Sequence, residues 1–544
     1  MRKKRVIILG GGIGGLSAAQ ELAERGFDVT IYEASNVFGG KARSISVPNT
    51  GVDGRKDLPG EHGFRFFPSF YKHVVDTMKR IPFGPSPGTV FDNLVAATRA
   101  HLARAGQSAL VLSARFPRDP GDWVTTLRAL FATDLAIPAG ETLFFIDRLL
   151  ILMTSCPERR LAEYENLSWW DFLDADNKSV HYRRVLAQGQ SRSLVAARAE
   201  RCSTRTLGYI FLQLISGLIG FGDSFDLVLN GPTNDVWIDP WVAYLKQLGV
   251  EMNTGAVLRT LHTDGGQITR VTIEQSGQLA QFESDYYICA VPVEIMAALL
   301  TDELKAAAPS VSNLASLQTA WMNGIQFYLD TDIPITHGHS VYVDSPWALT
   351  SVSQKQFWKD FDLEGYGDGR VRGILSACIS EWEAPGMVFG KPASSCTPEE
   401  IKTEVWAQIR AHLNEEQVAQ LDKAQLLYWF LDPAIRFSGF RGVTNSEPLL
   451  INTVGSYQYR PEAYTELRNL FLASDYVRTF TDVASMEAAN EAARRAVNAI
   501  LADTMSPAPR AEIWPLEEPD FFKPLLKYDQ MRFQMGLPHS KLAS

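Results

Sequence analysis

Residues 5–15 read RVIILGGGIGG, followed by a helix-forming run from Leu16 to Arg25 and a second strand-like run, Val29 to Tyr32, that ends at Glu33. Arg5 to Leu9 reads as a buried strand because its four successive apolar residues leave no polar face. Gly10, Gly12 and Gly15 complete a G-x-G-x-x-G pattern with Ile13 and Gly14 inside it. Gly10 permits the tight turn, Gly12 lets the backbone approach a pyrophosphate, and Gly15 allows close helix packing. The helix N-terminus then offers N–H groups to the anion. Glu33 stands where a carboxylate accepts ribose hydroxyls, in place of the arginine that accompanies a 2′-phosphate. Glycines in this pattern also occur in purely structural turns. Strand, glycines, helix, strand and acid in this order point to an α/β fold that binds a dinucleotide.

Directly after the second strand, Gly39-Gly40-Lys41-Ala42-Arg43-Ser44 adds a flexible backbone segment and two cations. A solvated basic loop would look the same, but extra support for a pyrophosphate favours FAD over NAD. Near the other end, Leu470 to Ala473 reads as a buried strand, Ser474-Asp475-Tyr476 as a turn, and Ser485 to Leu501 as a helix rich in small residues. Between the two ends, Gly249 to Asn253, Ala256 to Leu258, Gly265-Gly266 and Asp285 to Pro292 read as strand, turn, strand units.

Several of these stretches carry a family resemblance. Glu33-Ala34, then five residues, then Gly39-Gly40-Lys41 and Arg43 resemble the extended fingerprint of the FAD-dependent amine oxidase and phytoene desaturase flavoprotein superfamily, in which arginine is commoner at position 41. Residues 471–501, FLASDYVRTFTDVASMEAANEAARRAVNAIL, resemble its closing motif, where glycine is commoner at position 474. YYICAVP, residues 286–292, resembles the end of its middle segment. Glu61-His62-Gly63-Phe64-Arg65-Phe66-Phe67-Pro68 resembles the G-x-H-x-F-F segment of plant-type and cyanobacterial phytoene desaturases.

The resemblance implies a Rossmann-type FAD-binding domain of the two-dinucleotide-binding-motif kind, assembled from residues 1–80, 225–300 and 455–505. An α+β substrate-binding domain with a helical part would span 81–224 and 301–454, and 506–544 is a tail without an assigned role. By the same resemblance Gly40, Lys41, Ala42 and Arg43 contact the cofactor, Val257 touches adenine through its backbone, and Asp475 holds the ribityl and pyrophosphate. Ser485, Met486 and Glu487 lie beside the isoalloxazine. His62 and Arg65 border the ring, where a cation near N1 would stabilise the reduced flavin. A capping histidine and a salt-bridged arginine are the other reading of that pair. Arg460 and Glu462 lie within reach of the pocket.

Chemistry is narrowed by what the pattern lacks. Amine-oxidising members carry a lysine in a K-V-x-x-x-F strand, whereas the comparable segment here is Asn323-Gly324-Ile325-Gln326-Phe327-Tyr328. The C-terminal region lacks the cysteine that attaches flavin in some relatives, so noncovalent FAD is expected. Without a second G-x-G-x-x-G for a nicotinamide cofactor, the electron acceptor is oxygen, a quinone or another carrier. Trp169-Trp170, Phe172, Trp321, Phe327-Tyr328, Trp347, Phe357-Trp358, Trp382 and Tyr428-Trp429-Phe430 either line a tunnel for a long apolar or polyene substrate or pack as ordinary core. The expected enzyme is therefore a desaturase-like oxidoreductase. It would move hydride from a C–C bond of an isoprenoid, carotenoid-like or fatty-acyl substrate to flavin N5. A redox-neutral polyene isomerase or dehydroxylase, an amine oxidase and a non-catalytic flavin scaffold are the alternatives.

Global features agree. A chain of 544 residues exceeds what one core supports, and 46% apolar with 21% charged residues is globular. A net charge of -10 without a basic stripe argues against nucleic acid. Cys156, Cys202, Cys289, Cys378 and Cys396 show no C-x-x-C spacing, so no metal site or disulfide framework is expected, and they read as thiols of a reducing, cytoplasmic compartment. The opening MRKKRVIILGGG meets glycine too soon for a signal-peptide core. The apolar stretches Thr142 to Cys156 and Leu207 to Phe221 are interrupted by charged residues, or by Gln213 and several glycines, so no membrane span is expected. A lipid substrate would favour peripheral membrane contact through Ile81-Pro82-Phe83-Gly84 or the helix near Leu143 to Met153, but buried core helices are the preferred reading.

Overall fold

The computed structural model describes residues 3–112, 137–189, 198–218, 226–438 and 442–540. Residues 219–221 of the apolar stretch that begins at Leu207, and the expected domain boundary at 224–225, lie outside the described residues.

Five parallel strands form the first sheet, in the order Leu470–Leu472, Tyr286–Cys289, Arg5–Leu9, Asp28–Tyr32 and Glu251–Asn253. The central strand is flanked on both sides, with Leu9 opposite Cys289 and Tyr32, which is why its run of apolar residues has no alternation. Helices Ile13–Ala23 and Met486–Asp503 pack together on this sheet through Ala18, Ala19, Ala492, Ala493 and Ala496, all fully buried. Such small side chains bring the two helices, and with them the two ends of the chain, close together. The first helix begins at Ile13, three residues before the expected Leu16, because Gly14 and Gly15 form its first turn.

A second sheet of seven strands runs in the order Leu426–Leu431, Asn323–Leu329, Gly373–Ile379, Thr350–Ser353, Gly338–Tyr342, Arg99–Arg104 and Gln107–Leu112. Its pairings are antiparallel except that of Gly338–Tyr342 with Arg99–Arg104. Most of the expected tunnel aromatics are core residues. Phe327, Trp347 and Trp382 pack in one cluster, Phe357, Trp358, Tyr328 and Phe430 in another, and Trp169 and Phe172 in the helical part. Helix Ala139–Thr154 buries Phe145, Ile146 and Leu149 to Met153 and packs against Thr204–Leu218, so it is a core helix with Leu143 on its outer face. No described helix is long and apolar enough to cross a membrane.

The tail ties the halves together. Trp514 lies 5.2 Å from the ring of His73, whose helix His73–Lys79 packs on helix Met486–Asp503, and helix Lys523–Gln534 buries Asp529 in the helical part. There Asp529 accepts Arg159 Nε (3.0 Å) and the Cys156 N–H (2.8 Å).

His339, on strand Gly338–Tyr342, lies between Phe64 and Phe66 at centroid distances of 5.1 and 4.8 Å. Burial lowers its pKa from 6.5 to about 4. The unfolded ring is protonated below about 6.5 and the folded ring only below about 4, so stability falls as pH drops through that window. At about pH 5 the loss is roughly 2 kcal/mol. His339→Leu should therefore lose less melting temperature than wild type between about pH 7.5 and 5. Equal losses would show that the folded ring accepts the proton freely.

Candidate functional site

The glycine loop joins the two ends of the chain. Gly10 takes a φ of +108°, and a Cβ there would lie 2.7 Å from the Ala290 carbonyl oxygen. A Cβ on Gly14 would lie 1.9 Å from the Ala473 oxygen, and one on Gly15 1.9 Å from the Gly10 oxygen. Gly14 thus brings the helix onto the last strand, while Gly15 closes the turn. Gly12 caps the helix without any side-chain bond, and the first turn carries no acid, which leaves the positive end of the helix free for an anion. Gly40 meets Gly12 backbone to backbone, and the Gly39 N–H donates to the Gly11 oxygen at 2.9 Å.

Glu33 ends the second strand. Its Oε2 accepts the Gly11 N–H (2.7 Å), and its Oε1 accepts the Ser35 N–H (2.7 Å) and hydroxyl (2.8 Å). A second lone pair on Oε2 remains for a ribose hydroxyl. Ala34 is exposed beside it, and the Ala256 N–H donates to the Glu33 carbonyl at 2.8 Å, which sets Val257 at the same edge. The two expected pyrophosphate cations are engaged elsewhere. Lys41 Nζ contacts Glu294 Oε1 (3.0 Å) and the Pro448 carbonyl, while Arg43 makes a two-pronged bond to Glu447 (2.6 and 3.1 Å) and donates to Gly40 O (2.8 Å). Burial works against the Arg43 charge, and Glu447, with Asp432 and Glu33, more than offsets it, so its pKa stands above the ordinary arginine value. Ala42 between them is buried.

At the closing motif the Ser474 hydroxyl lies 3.3 Å from Asp475 Oδ1, and Ser485 caps helix Met486–Asp503 by accepting the Ala488 N–H at 3.1 Å. Glu487 is 1% exposed and its carboxylate turns inward. It accepts the N–H groups of Lys72 (2.7 Å), His73 (2.8 Å) and Val74 (3.0 Å), and lies 2.7 Å from His73 Nδ1. Glu487 therefore caps helix His73–Lys79, and Met486 and Ser485 are the partly exposed residues at this helix start. Arg460 is also turned inward, donating to the carbonyls of Asp475, Val477 (2.9 Å) and Asp482 (3.2 Å), while Glu462 lies 3.5 Å from Arg478.

Arg65 Nη2 donates to the Lys41 carbonyl (3.0 Å) and lies 3.6 Å from Glu61 Oε2. Burial lowers the Arg65 pKa against the pull of Glu61, and burial raises that of Glu61 against the pull of Arg65. His62 Nδ1 sits 2.6 Å from Asp432 Oδ2, at ion-pair distance but off the line of a well-directed hydrogen bond. Asp432 accepts Asn323 Nδ2 (2.6 Å) and the Ala434 N–H (3.0 Å). Asn323 in turn accepts Asn445 Nδ2 (2.8 Å), whose own oxygen accepts the Glu447 N–H (2.9 Å). A polar chain thus runs from His62 to Arg43. Asp432, Asn445, Glu447 and Glu294 carry no motif of their own, and sequence reasoning missed them.

A small, partly open apolar pocket, with a cavity volume of about 10 Å³, is lined by Leu207, Ile210, Leu450, Ile451 and Val483 with Cys202, Thr206 and Asn452. Among the described residues no group of three His, Cys, Asp or Glu side chains could hold a metal.

The model of the family described as flavin containing amine oxidoreductase matches residues 13–501. This chain belongs to that family. A 15-cis-phytoene desaturase of Synechococcus elongatus is 24% identical over 518 residues, covering 92% of this chain and 96% of the relative. A chloroplastic/chromoplastic 15-cis-phytoene desaturase of Glycine max is 21% identical over 520 residues, covering 94% and 82%. Cyclohexylamine oxidase from Brevibacterium oxydans shares the fold at a TM-score of 0.61 and 12% identity, covering 93% of this chain and all of that one.

The flavoprotein's own residues fit FAD, the cofactor of this oxidoreductase. An uncapped helix N-terminus faces the glycine turn, a carboxylate ends the second strand, and an acidic turn at Asp475 follows the strand that Gly14 touches. FAD supplies a hydride acceptor, and the protein supplies its anchorage and the groups around it.

Proposed function

We propose that this flavoprotein desaturates an isoprenoid-like polyene or a comparable apolar chain, with hydride passing to flavin N5. The observation that carries this reading is the likeness over nearly the whole chain to two phytoene desaturases. The segment Asn323 to Tyr328, without the lysine of amine-oxidising members, agrees with a substrate that is not an amine. FAD is bound noncovalently in a domain built from residues 1–80, 225–300 and 455–505, and residues 81–224 and 301–454 contribute the substrate side. Gly10, Gly12, Ile13, Gly14 and Gly15 cradle the pyrophosphate, Glu33 takes the ribose, and Asp475, Ser485 and Met486 meet the flavin half. Electrons pass on to oxygen or a quinone, and the enzyme collects its substrate at a cytoplasmic membrane surface.

Anaerobic mixing of the yellow holoprotein with phytoene-like, squalene-like and fatty-acyl compounds in detergent tests this. Bleaching of the visible flavin band by the polyene, with one new double bond in the product, is the expected result. Product formation without net bleaching would assign redox-neutral chemistry instead, and bleaching by amines alone would end the reading.

A further inference from the structure

Asp432 is 1% exposed, and an ionised carboxylate at such depth needs close partners to offset several kcal/mol of lost hydration. Burial opposes its charge, yet its pKa lies below the usual aspartate value because His62, the Ala434 N–H and the Asn323 amide favour the ionised form. The backbone holds these groups in place. Asp432 follows strand Leu426–Leu431, and Asn323 begins the neighbouring strand Asn323–Leu329. The Asp432 N–H donates to the Gly324 carbonyl at 3.0 Å, and the Gly324 N–H donates to the His62 carbonyl at 2.6 Å. A Cβ on Gly324 would lie 2.9 Å from the His62 oxygen, so carboxylate and ring are set by a backbone crossing that admits only glycine.

Nδ1 of His62 faces the carboxylate. At 2.6 Å from Asp432 Oδ2, a proton on Nδ1 would leave a lone pair on Nε2. Nε2 is buried and meets no hydrogen-bond partner among the described residues. Burying an unsatisfied polar atom costs about 1–3 kcal/mol, so the persistence of Nε2 beside the Asp432–Asn323–Asn445 chain points to a bound group or a proton as its partner. Three residues further on, Arg65 reaches the Lys41 carbonyl, and the Asn323–Asn445–Glu447 chain reaches Arg43. Two routes therefore tie the ring to the cofactor loop.

We propose that His62 Nε2 is the proton-accepting atom of the flavin site and that Asp432 is the residue that positions it. This rests on the desaturation reading. One carbon of the substrate loses hydrogen as hydride to the flavin. The adjacent carbon loses hydrogen as a proton to His62 Nε2, and the electron pair of that C–H bond becomes the new π bond. Substrate loses two electrons and two protons in all; bound FAD would supply the acceptor for the hydride, and the imidazolium is neutralised by Asp432 until its proton returns to solvent. The charged and titratable groups around the pair are Arg65 and Arg43, Glu61 on the preceding segment, Glu447 beyond Arg43, and the Cys378 thiol, which burial pushes up to about 11. Glu61 is the competing titration.

The test needs no substrate. Dye-coupled potentiometric titration of the holoprotein at several values between about pH 6 and 8 gives the protons taken up per two electrons. Wild type and Glu61→Gln should take up two, His62→Gln and Asp432→Asn one, and Asp432→Glu should restore two. Uptake of two by Asp432→Asn with full FAD content, or of one by wild type, would overturn the proposal. Should Asp432→Asn fail to hold FAD, His62→Gln and Asp432→Glu still decide it. With polyene present, Asp432→Asn should bleach roughly a hundredfold more slowly and lose the pH dependence of the wild type. If no polyene bleaches the wild-type protein, the desaturase reading fails and the proton count judges the His62 assignment alone.

Discussion

Gly14→Val is expected to give a protein that purifies without flavin and melts well below the wild type. The position lies in the first turn of helix Ile13–Ala23, where the added Cβ would sit 1.9 Å from the Ala473 oxygen and 3.5 Å from the Ala489 oxygen. A Cβ has no rotamer with which to escape, and its neighbours are backbone atoms, so the helix or the last strand must move by about an ångström or more. Overpacking of this kind costs typically 1–3 kcal/mol and at times more. The displaced helix is also the one whose N-terminus is proposed to hold the pyrophosphate, so stability and flavin content should fall together. Gly14→Ala already introduces the overlap and should show the same loss in milder form. Gly140→Ala is the control, because a Cβ there meets nothing within 4 Å and alanine favours a helix by about 0.5–1 kcal/mol. The ratio of visible to ultraviolet absorbance and the melting temperature report both effects. A Gly14→Ala protein with full flavin and an unchanged melting temperature would show that the two ends of the chain do not meet at this residue.

What could be read from the sequence was what local spacing encodes. Gly10 to Gly15, Glu33 and the closing helix are set by turn and helix periodicity, and the structure places them around one sheet. Side-chain direction over long range was not legible. Glu487, an acid in the first turn of a helix expected beside the flavin, instead caps a helix at residues 73–79, more than 400 positions earlier. Lys41 and Arg43 gave a clear charge signal, but their partners Glu294 and Glu447 belong to distant segments with no shared pattern. Aromatic richness marked the second lobe without separating tunnel from core. Trp347 at 0% and Trp358 at 2% exposure are core because strands that are remote in sequence close over them. Asn323 was notable only for not being lysine, and its bond to Asp432 needed the pairing of two strands to appear.

Arg460→Met should weaken FAD binding by roughly a hundredfold and lower the melting temperature, although residue 460 need not touch the cofactor. The loop from Asp475 to Asp482 has no regular structure, so its carbonyls depend on a donor from elsewhere. Arg460, 2% exposed, donates to the carbonyls of Asp475, Val477 and Asp482, and its Nε lies 3.6 Å from Asp482 Oδ1. Methionine keeps most of the volume and removes every donor. Each buried acceptor left unmatched costs about 1–3 kcal/mol, and two such losses expressed in the bound loop amount to about a hundredfold in affinity. Asp482 adds strain of its own, since it holds a φ of +50° while its carboxylate binds Arg205 of helix Thr204–Leu218. With Arg460 gone, Arg205 alone would pull the loop towards the helical part and take Asp475 out of position. Quenching of flavin fluorescence gives the affinity, and melting with and without saturating FAD separates a loop that FAD can still order from one that is lost. A substantial recovery at saturation is expected, because FAD would again supply contacts to the turn at Asp475. Wild-type affinity in Arg460→Met would mean that the loop is held by Arg205 and Thr479 through Asp482, with the buried guanidinium serving only the core beneath it.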